Sequence, residues 1–490
     1  MSKNKKDTKN KAKSKKKVNI FSRIIGILFN ILLIIFLGLL IYMDVLPTKY
    51  LIIILSVILV FAFIINLILF IPKVKTKLKV PANVFAILFS IVFALGSSYL
   101  YNTMDFLGNI TSSGYQVENY YVVVLDNETF FKLDDIKNYK MGIHVTENDT
   151  YSKARKELEN KIKTKNTDYN DILKLANDLL KEDVDAIFLS ESYKTNLDEE
   201  LPNFKSSTKI IDTISIKTKT KSIAKKVEVT EESFNIFISG IDTYGTISSV
   251  SRSDVNMIVT VNPNTHEILL TSIPRDYYVQ LDGTKGLKDK LTHAGIYGVD
   301  KSIKTLENLF GIEINYYVKV NFTTVIDVVD IIGGIDVYSD LSFRALTDPK
   351  VYIKKGNNHL NGKKALAFAR ERYAYKEGDR HRVQNQQAVI TAIMNKILSS
   401  KTIISKYNSL LNTLEGSFQT NMDMNSITDL VKKQIDSMPS WTIVSQSVNG
   451  TDKQAYTHSY PGQQLYVMEP DMETVKTAKL KIEEVINKKK

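Results

Sequence analysis

Two neighbouring stretches decide the fold: FNIFISGID at 234–242 and SRSDVNMIVTVNPNTHEILLTSIPRD at 251–276. Phe234–Ile238 is apolar with branched side chains and ends at Gly240, Ile241 and Asp242, which reads as a buried strand. In the second stretch, Asp254–Val261 and Glu267–Ile273 flank Asn262-Pro263-Asn264-Thr265, a strong hairpin signal. With the turn centred near Asn264, Asp254 lies across from roughly Pro274, next to Arg275. Arg252 and Asp254 are two apart and share a face in extended chain. One sheet end then gathers Asp242, Arg252, Asp254, Arg275 and Asp276. Spacing alone is as compatible with ordinary turn and rim ion pairs as with a site.

Downstream, the pattern predicts a helix over Lys301–Leu309, a strand over Tyr316–Val320 and a helix over Thr323–Ile331. Gly333-Gly334 then precedes a strand over Ile335–Tyr338. The expected architecture is a mixed sheet with helices on its faces, an α/β/α layering.

A second cluster lies in Ala365-Leu-Ala-Phe-Ala-Arg370-Glu-Arg372, where an extended chain would put both guanidiniums on one side. Asp379 suits the N-cap of a helix running through Leu398. Arg382 and Gln386 are i, i+4 near its N-terminus, where anions are favoured. His381 should face solvent by its phase. His293 could act as a base, although a lone His beside a helix is more often structural. The chain is rich in Lys and poor in Arg, so repeated Arg at these places is informative. Its planar fork suits bidentate phosphate binding. Two acids able to hold a hard cation, beside several arginines, describe a magnesium–pyrophosphate site.

Upstream, Asn119–Val227 alternates strand and helix patterns: strands at Tyr120–Leu125, Met141–Val145 and Ala186–Leu189, helices at Ser152–Ile162 and Tyr169–Lys181. No Gly-rich phosphate loop occurs there, and an accessory α/β domain is expected over 119–227, with 217–226 an exposed linker or edge. Before it come three apolar stretches in a membrane region spanning 20–101: Ile24–Met43, Tyr50–Ile71 and Ala82–Tyr101, each long enough to cross a bilayer. Asn83, Gly96, Ser97 and Ser98 make the third the weakest. Residues 1–19 read as a disordered tail and 102–117 as a linker.

Charge orients the spans. Residues 1–81 hold 15 Lys/Arg against 2 Asp/Glu, whereas the other 409 hold 50 against 51. The formal charge of +12 is therefore an N-terminal property, which argues against nucleic-acid binding. The tail and the turn carrying Lys73, Lys75, Lys77 and Lys79 should be cytoplasmic, and everything after about residue 102 extracellular. Absence of cysteine excludes disulfide scaffolds, thiolate metal sites and cysteine nucleophiles.

Seven segments in order resemble the LytR-CpsA-Psr family: 234–242, 251–257, Ser272-Ile-Pro-Arg-Asp276, Tyr316-Tyr-Val-Lys-Val-Asn321, Gly333-Gly-Ile-Asp-Val337, His359-Leu-Asn-Gly362 and Ala367-Phe-Ala-Arg-Glu-Arg372. The catalytic domain would span 232–487. Three spans plus an intervening domain look like the capsule-type branch, the CpsA or Wzg subgroup. The resemblance implies an extracellular phosphotransferase of a Gram-positive cell. It would move a glycopolymer, capsular or teichoic-acid-like, from a polyprenyl-pyrophosphate carrier in the membrane lipid to a muramic acid hydroxyl of peptidoglycan. It further implies that Asp242 and Asp254 hold Mg²⁺, that Arg252, Arg275, Arg370, Arg372, Arg382 and Gln386 bind the pyrophosphate, and that Asp379 orients the arginines. Two departures stand out: Asn385 where many members carry Arg, and Asp242-Thr-Tyr-Gly without the Arg that often follows the Asp. The prenyl chain would need an apolar slot, with Ile303, Leu306, Leu309, Phe310, Val325, Val328 and Ile331 as candidate walls. The competing readings are a lipid-pyrophosphate phosphatase and a non-catalytic membrane regulator of envelope assembly.

Overall fold

A computed structural model describes residues 2–44, 46–111, 115–146, 149–201, 203–219, 223–241, 247, 251–376, 378–399 and 418–489. It divides into two units, 1–108 with 424–439 and 109–423 with 440–490.

The first unit holds α1 (Ser2–Met43), α2 (Thr48–Phe70) and α3 (Thr76–Thr111), each with a segment long and apolar enough to cross a bilayer. Lipid offers no hydrophobic drive for helices to meet, so small and polar side chains do the joining. Asn30 and Asn66 exchange amide hydrogen bonds of 2.7 and 2.9 Å between α1 and α2. Asn83, a weakness in the third stretch when read alone, is buried and donates to Ser22 at 3.0 Å. Two expectations are corrected. The lysine-rich segment is helical from Ser2 rather than a disordered tail, because Lys and Ala propagate a helix that the apolar stretch has nucleated. The supposed linker is mostly helix, since α3 continues past Tyr101 to Thr111, and 112–114 lie outside the described residues. The helix Met424–Ser437 belongs to this unit and meets the turn between the first two spans through Lys49–Asp436 at 2.6 Å and Lys432–Asp44.

Among the described residues, the second unit carries two large sheets and four two-stranded ladders. The first comprises β1 (Tyr115–Leu125), β2 (Lys140–His144), β3 (Lys165–Tyr169), β4 (Ala186–Ser190) and β5 (Thr208–Lys219), in the order β3-β2-β4-β1-β5. Strands β2, β3 and β4 are parallel, whereas β1 runs antiparallel to β4 and β5. Its helices are α4 (Asp149–Lys161), α5 (Ile172–Leu180) and α6 (Glu191–Glu200). The helix expected from Tyr169 starts at Ile172 instead, because the Asp171 carboxylate caps it by accepting from Leu173 and Lys174 amides. The lysine-rich run from 217 begins as the end of the edge strand β5.

The second sheet is built from β6 (Phe234–Ile241), β7 (Val255–Asn262), β8 (Glu267–Ile273), β9 (Tyr316–Asn321), β10 (Phe418–Thr420) and β11 (Thr442–Ser447), in the order β10-β9-β6-β7-β8-β11. It is mixed: β6 pairs parallel with β9 and β8 with β11, while β6–β7 and β7–β8 are antiparallel. The hairpin turn is held by Asn262, whose side-chain oxygen accepts from the amides of Asn264 and Thr265 at 3.0 and 3.1 Å. Its amide donates onward to the carbonyls of Val485 and Lys488, tying the turn to the last helix.

Helices cover both faces. On one side α7 (Val299–Phe310) and a helix at Met472–Asn487 close a core with Phe237, Ile258, Leu269, Leu306 and Ile482. On the other lie α8 (Phe322–Ile331), α9 (Gly362–Arg370) and α10 (Asp379–Ser399). The fold is thus α/β/α. The run Ala365–Arg370 is helical, not extended: Asn361 caps it by accepting from Lys364, and Ala and Leu favour helix. Gly362 opens α9 hard against α8, where an added Cβ would lie 2.1 Å from the Ile326 carbonyl oxygen. Gly362→Ala should therefore cost about 1–3 kcal/mol by overpacking, seen as a lower thermal midpoint of the detergent-solubilised chain. An unchanged midpoint would mean that the two helices part at no cost.

Candidate functional site

The hairpin register pairs Asn256 with Ile273, and continuing it two residues sets Asp254 opposite Arg275. The Asp254 amide donates to the Gly240 carbonyl at 2.8 Å, anchoring this end of β7 to β6. Arg275 Nη1 reaches Asp254 Oδ1 at 2.8 Å, and Arg252 Nη2 lies 3.8 Å from Oδ2. Thr292 donates its hydroxyl to Oδ1 at 3.3 Å. Burial alone would push the Asp254 carboxyl up, but the guanidiniums of Arg252, Arg275 and Arg382 more than reverse this and hold it well below the usual carboxylate range. Arg275 Nε sits 3.5 Å from Asp276 Oδ2, and Lys290 Nζ is 3.5 Å from Asp276 Oδ1.

These groups border a cavity of about 950 Å³ on the α8–α9–α10 side of the sheet. Its cations are Arg275, Lys290, Arg370, Arg372 and Arg382, and Gln386 joins them from α10. Arg370 stacks over the Phe322 ring, 4.2 Å from its centroid, a contact that orients a guanidinium without neutralising it. Arg372 donates to the Tyr373 hydroxyl at 2.6 Å. Between the two arginines, Glu371 is buried and turned inward. Its Oε1 accepts from the amides of Arg372, Tyr373 and Ala374, and its Oε2 from the amide of Leu346. One carboxylate thereby shapes the turn that presents both guanidiniums. The remaining walls are apolar, chiefly Val325 and Val328 of α8 with Val389, Ile390, Ile393 and Ile397 of α10.

The structure therefore brings together Arg275, Arg370, Arg372, Arg382, Gln386 and Asp254 around one space, with Arg252 behind Asp254. Asp242 lies outside the described residues. Asp379 is the first residue inside α10, and Gly378, whose carbonyl accepts from the Arg382 amide, precedes it as the cap. This corrects the expected N-cap role of Asp379, whose side chain is outside the description. His381 is buried and stacks on the Tyr375 ring at 3.5 Å, contrary to the solvent-facing expectation, because α10 is packed on more than its cavity face. Asn385 lies one turn further along that helix and donates to the Phe368 carbonyl at 3.1 Å, so it pins α10 to α9. His293 is wholly buried against Asp289, Nδ1 to Oδ1 at 2.6 Å, which makes it structural. Of the candidate walls for a prenyl chain, Val325 and Val328 line the cavity. Ile303, Leu306, Leu309 and Phe310 belong to the core on the opposite face of the sheet, and Ile331 is not among the lining residues. Lys290, Thr292, Glu200 and Glu371 escaped the sequence reading; nothing in their spacing distinguishes them from ordinary polar surface residues.

Among the described residues, no group of three or more His, Asp or Glu could hold a metal ion. Of the two acids expected to hold the ion, only Asp254 is described; its carboxylate is held ionised by the guanidiniums, with Oδ2 3.8 Å from Arg252 Nη2.

Fold and cavity together define an α/β protein that pairs a cationic seat with an apolar enclosure. Residues 200–480, more than half of the chain, match the profile of the LytR_cpsA_psr family, and the chain belongs to that family. It is 36% identical over 202 residues to the polyisoprenyl-teichoic acid--peptidoglycan teichoic acid transferase TagU of Bacillus cereus, covering 41% of this chain and 64% of the relative. It is also 36% identical over 234 residues to the corresponding transferase TagV of Bacillus subtilis, covering 46% and 59%. The chain thus spans less than two thirds of either relative. The crystal structure of B. subtilis TagV superposes with a TM-score of 0.44 at 32% identity, covering 53% of this chain and 99% of that one.

A carboxylate with a depressed folded pKa stabilises the fold above its unfolded value, about 3.9, and that contribution fades as pH falls towards the folded value. The stability gap between the native chain and Asp254→Asn should accordingly stay constant from about pH 8 to 5 and narrow only below about pH 4. Thermal unfolding across this range reads it; a gap that changes between pH 6 and 8 would contradict the assignment.

Proposed function

We propose that this chain is a membrane-anchored phosphotransferase that moves a glycopolymer, capsular or teichoic-acid-like, from a polyprenyl-pyrophosphate carrier to peptidoglycan. The observation that carries the reading is the single cavity in which Arg275, Arg370, Arg372 and Arg382 adjoin the apolar side chains of α8 and α10. A polyprenyl pyrophosphate has the same two parts, a doubly charged head and a branched hydrocarbon tail. The names of the two relatives support the same substrate class.

In this reading the arginines bind the phosphate oxygens and stabilise the charge that builds on them as the acceptor hydroxyl attacks phosphorus in line. The bond to the bridging oxygen breaks, and polyprenyl phosphate leaves. Arg275, held by Asp254, and Arg370, stacked on Phe322, are already oriented, so little reorganisation accompanies the step. Asp254 and Asp242 would hold Mg²⁺, and the ionised state of Asp254 suits a hard cation. Such an ion would supply further neutralisation of the pyrophosphate. The spans would tether the chain to the membrane in which the carrier resides, with the second unit outside the cell, raising the carrier's effective concentration.

The test supplies the full-length protein in detergent with a lipid-pyrophosphate sugar, Mg²⁺ and wall fragments. A covalent sugar–wall product should form, be abolished by Asp254→Ala and fall about 10²–10³-fold in Arg275→Ala while membrane insertion is unchanged. Phosphate release without attachment would identify a phosphatase, and full activity of Arg275→Ala would point to a non-catalytic role.

A further inference from the structure

The cavity is not built by the second sheet alone. Glu200, the last residue of α6 in the first sheet's lobe, also lines it. Its placement follows from packing. Tyr193 and Leu197 of α6 are buried in one cluster with Ile296, Tyr460 and Leu465 from the other lobe, which seats the C-terminal end of α6 beside the cavity. There Glu200 Oε1 meets Lys290 Nζ at 3.0 Å. Lys290 is fixed in turn, since it pairs through its backbone with Tyr278 in a short antiparallel ladder, and its side chain is only 7% exposed.

Five charges of alternating sign then run from one lobe into the anion seat: Glu200, Lys290, Asp276, Arg275 and Asp254. Asp276 is the shared member, with Oδ1 towards Lys290 and Oδ2 towards Arg275 Nε, each at 3.5 Å. Both are long ion-pair contacts rather than hydrogen bonds, so the balance between them is easily tipped. With Glu200 neutral, the buried ammonium of Lys290 would be left with Asp276 as its carboxylate partner, and a poorly compensated buried cation draws its remaining partner strongly. Asp276 would shift towards Lys290, and Arg275 would lose one of its two carboxylate supports.

We propose that Glu200 is a positioning residue for Arg275: by taking up the charge of Lys290 it leaves Asp276 free to orient the guanidinium that meets the phosphate. The first lobe thereby completes the site rather than merely accompanying it. This rests on the lipid-pyrophosphate reading above.

The role is measured as a coupling, in the full-length protein, with geranylgeranyl pyrophosphate as the probe. Arg275→Ala should weaken probe binding about tenfold or more in the native background but less than about threefold in Glu200→Gln, where Arg275 is already misoriented. Glu200→Gln combined with Lys290→Gln should restore the full cost of Arg275→Ala, because Asp276 then answers to Arg275 alone. A purely structural Glu200 would not produce that restoration. Equal costs of Arg275→Ala in all three backgrounds overturn the positioning role while leaving the lipid-pyrophosphate reading intact. A native protein that does not bind the probe overturns both.

Discussion

The carboxylate of Asp254, held between the guanidiniums of Arg275 and Arg252, is the contact on which the site depends. It exists because the β7–β8 ladder is in register over seven paired positions, from Asn256–Ile273 to Asn262–Glu267. A slip of one residue would part Asp254 from Arg275. The same slip would turn Ile258 and Leu269 away from the core they form with Phe237 and Leu306. The apolar core therefore enforces the geometry of a charged cluster to which it contributes no polar atom.

Two chemistries meet in the cavity because two kinds of element supply it. One end of the sheet provides charge: Asp254 just before β7, and Arg275 and Asp276 just after β8. Helices provide the apolar walls and contribute Arg370 from the end of α9 and Arg382 and Gln386 from the first half of α10. The cations are mostly arginines in a chain rich in lysine. Each has a planar group that can be oriented by a carboxylate, a ring or a turn. Here all three devices occur, through Asp254, Phe322 and the Glu371-centred turn. Orientation before the ligand arrives is what makes such donors effective against developing charge.

The membrane unit follows the same logic with different means. Apolar surface cannot select partners in lipid, so Asn30, Asn66, Ser22 and Asn83 specify which helices meet. A residue that weakens a span considered by itself thereby becomes a determinant of how the spans assemble.

Much of this was legible from the chain. The hairpin, the strand at Phe234, the helix at α7 and the three apolar stretches follow from local periodicity and turn chemistry, which act over a few residues and need no partner. The pairing of Asp254 with Arg275 was legible for the same reason, since a hairpin converts spacing into contact. Tertiary structure decided what periodicity cannot report. Apolar residues on α7 and α8 look alike in sequence, but α7 packs on the core face and only α8 lines the cavity. His381 is buried because neighbouring elements cover its side of α10. Glu371 turned inward because four backbone amides converge on it. Glu200 reached the cavity because two lobes distant in sequence bury Leu197 and Tyr460 together. Burial and long-range contact are properties of the assembled surface, and a sequence read one element at a time carries the periodicity of a face without saying what covers it.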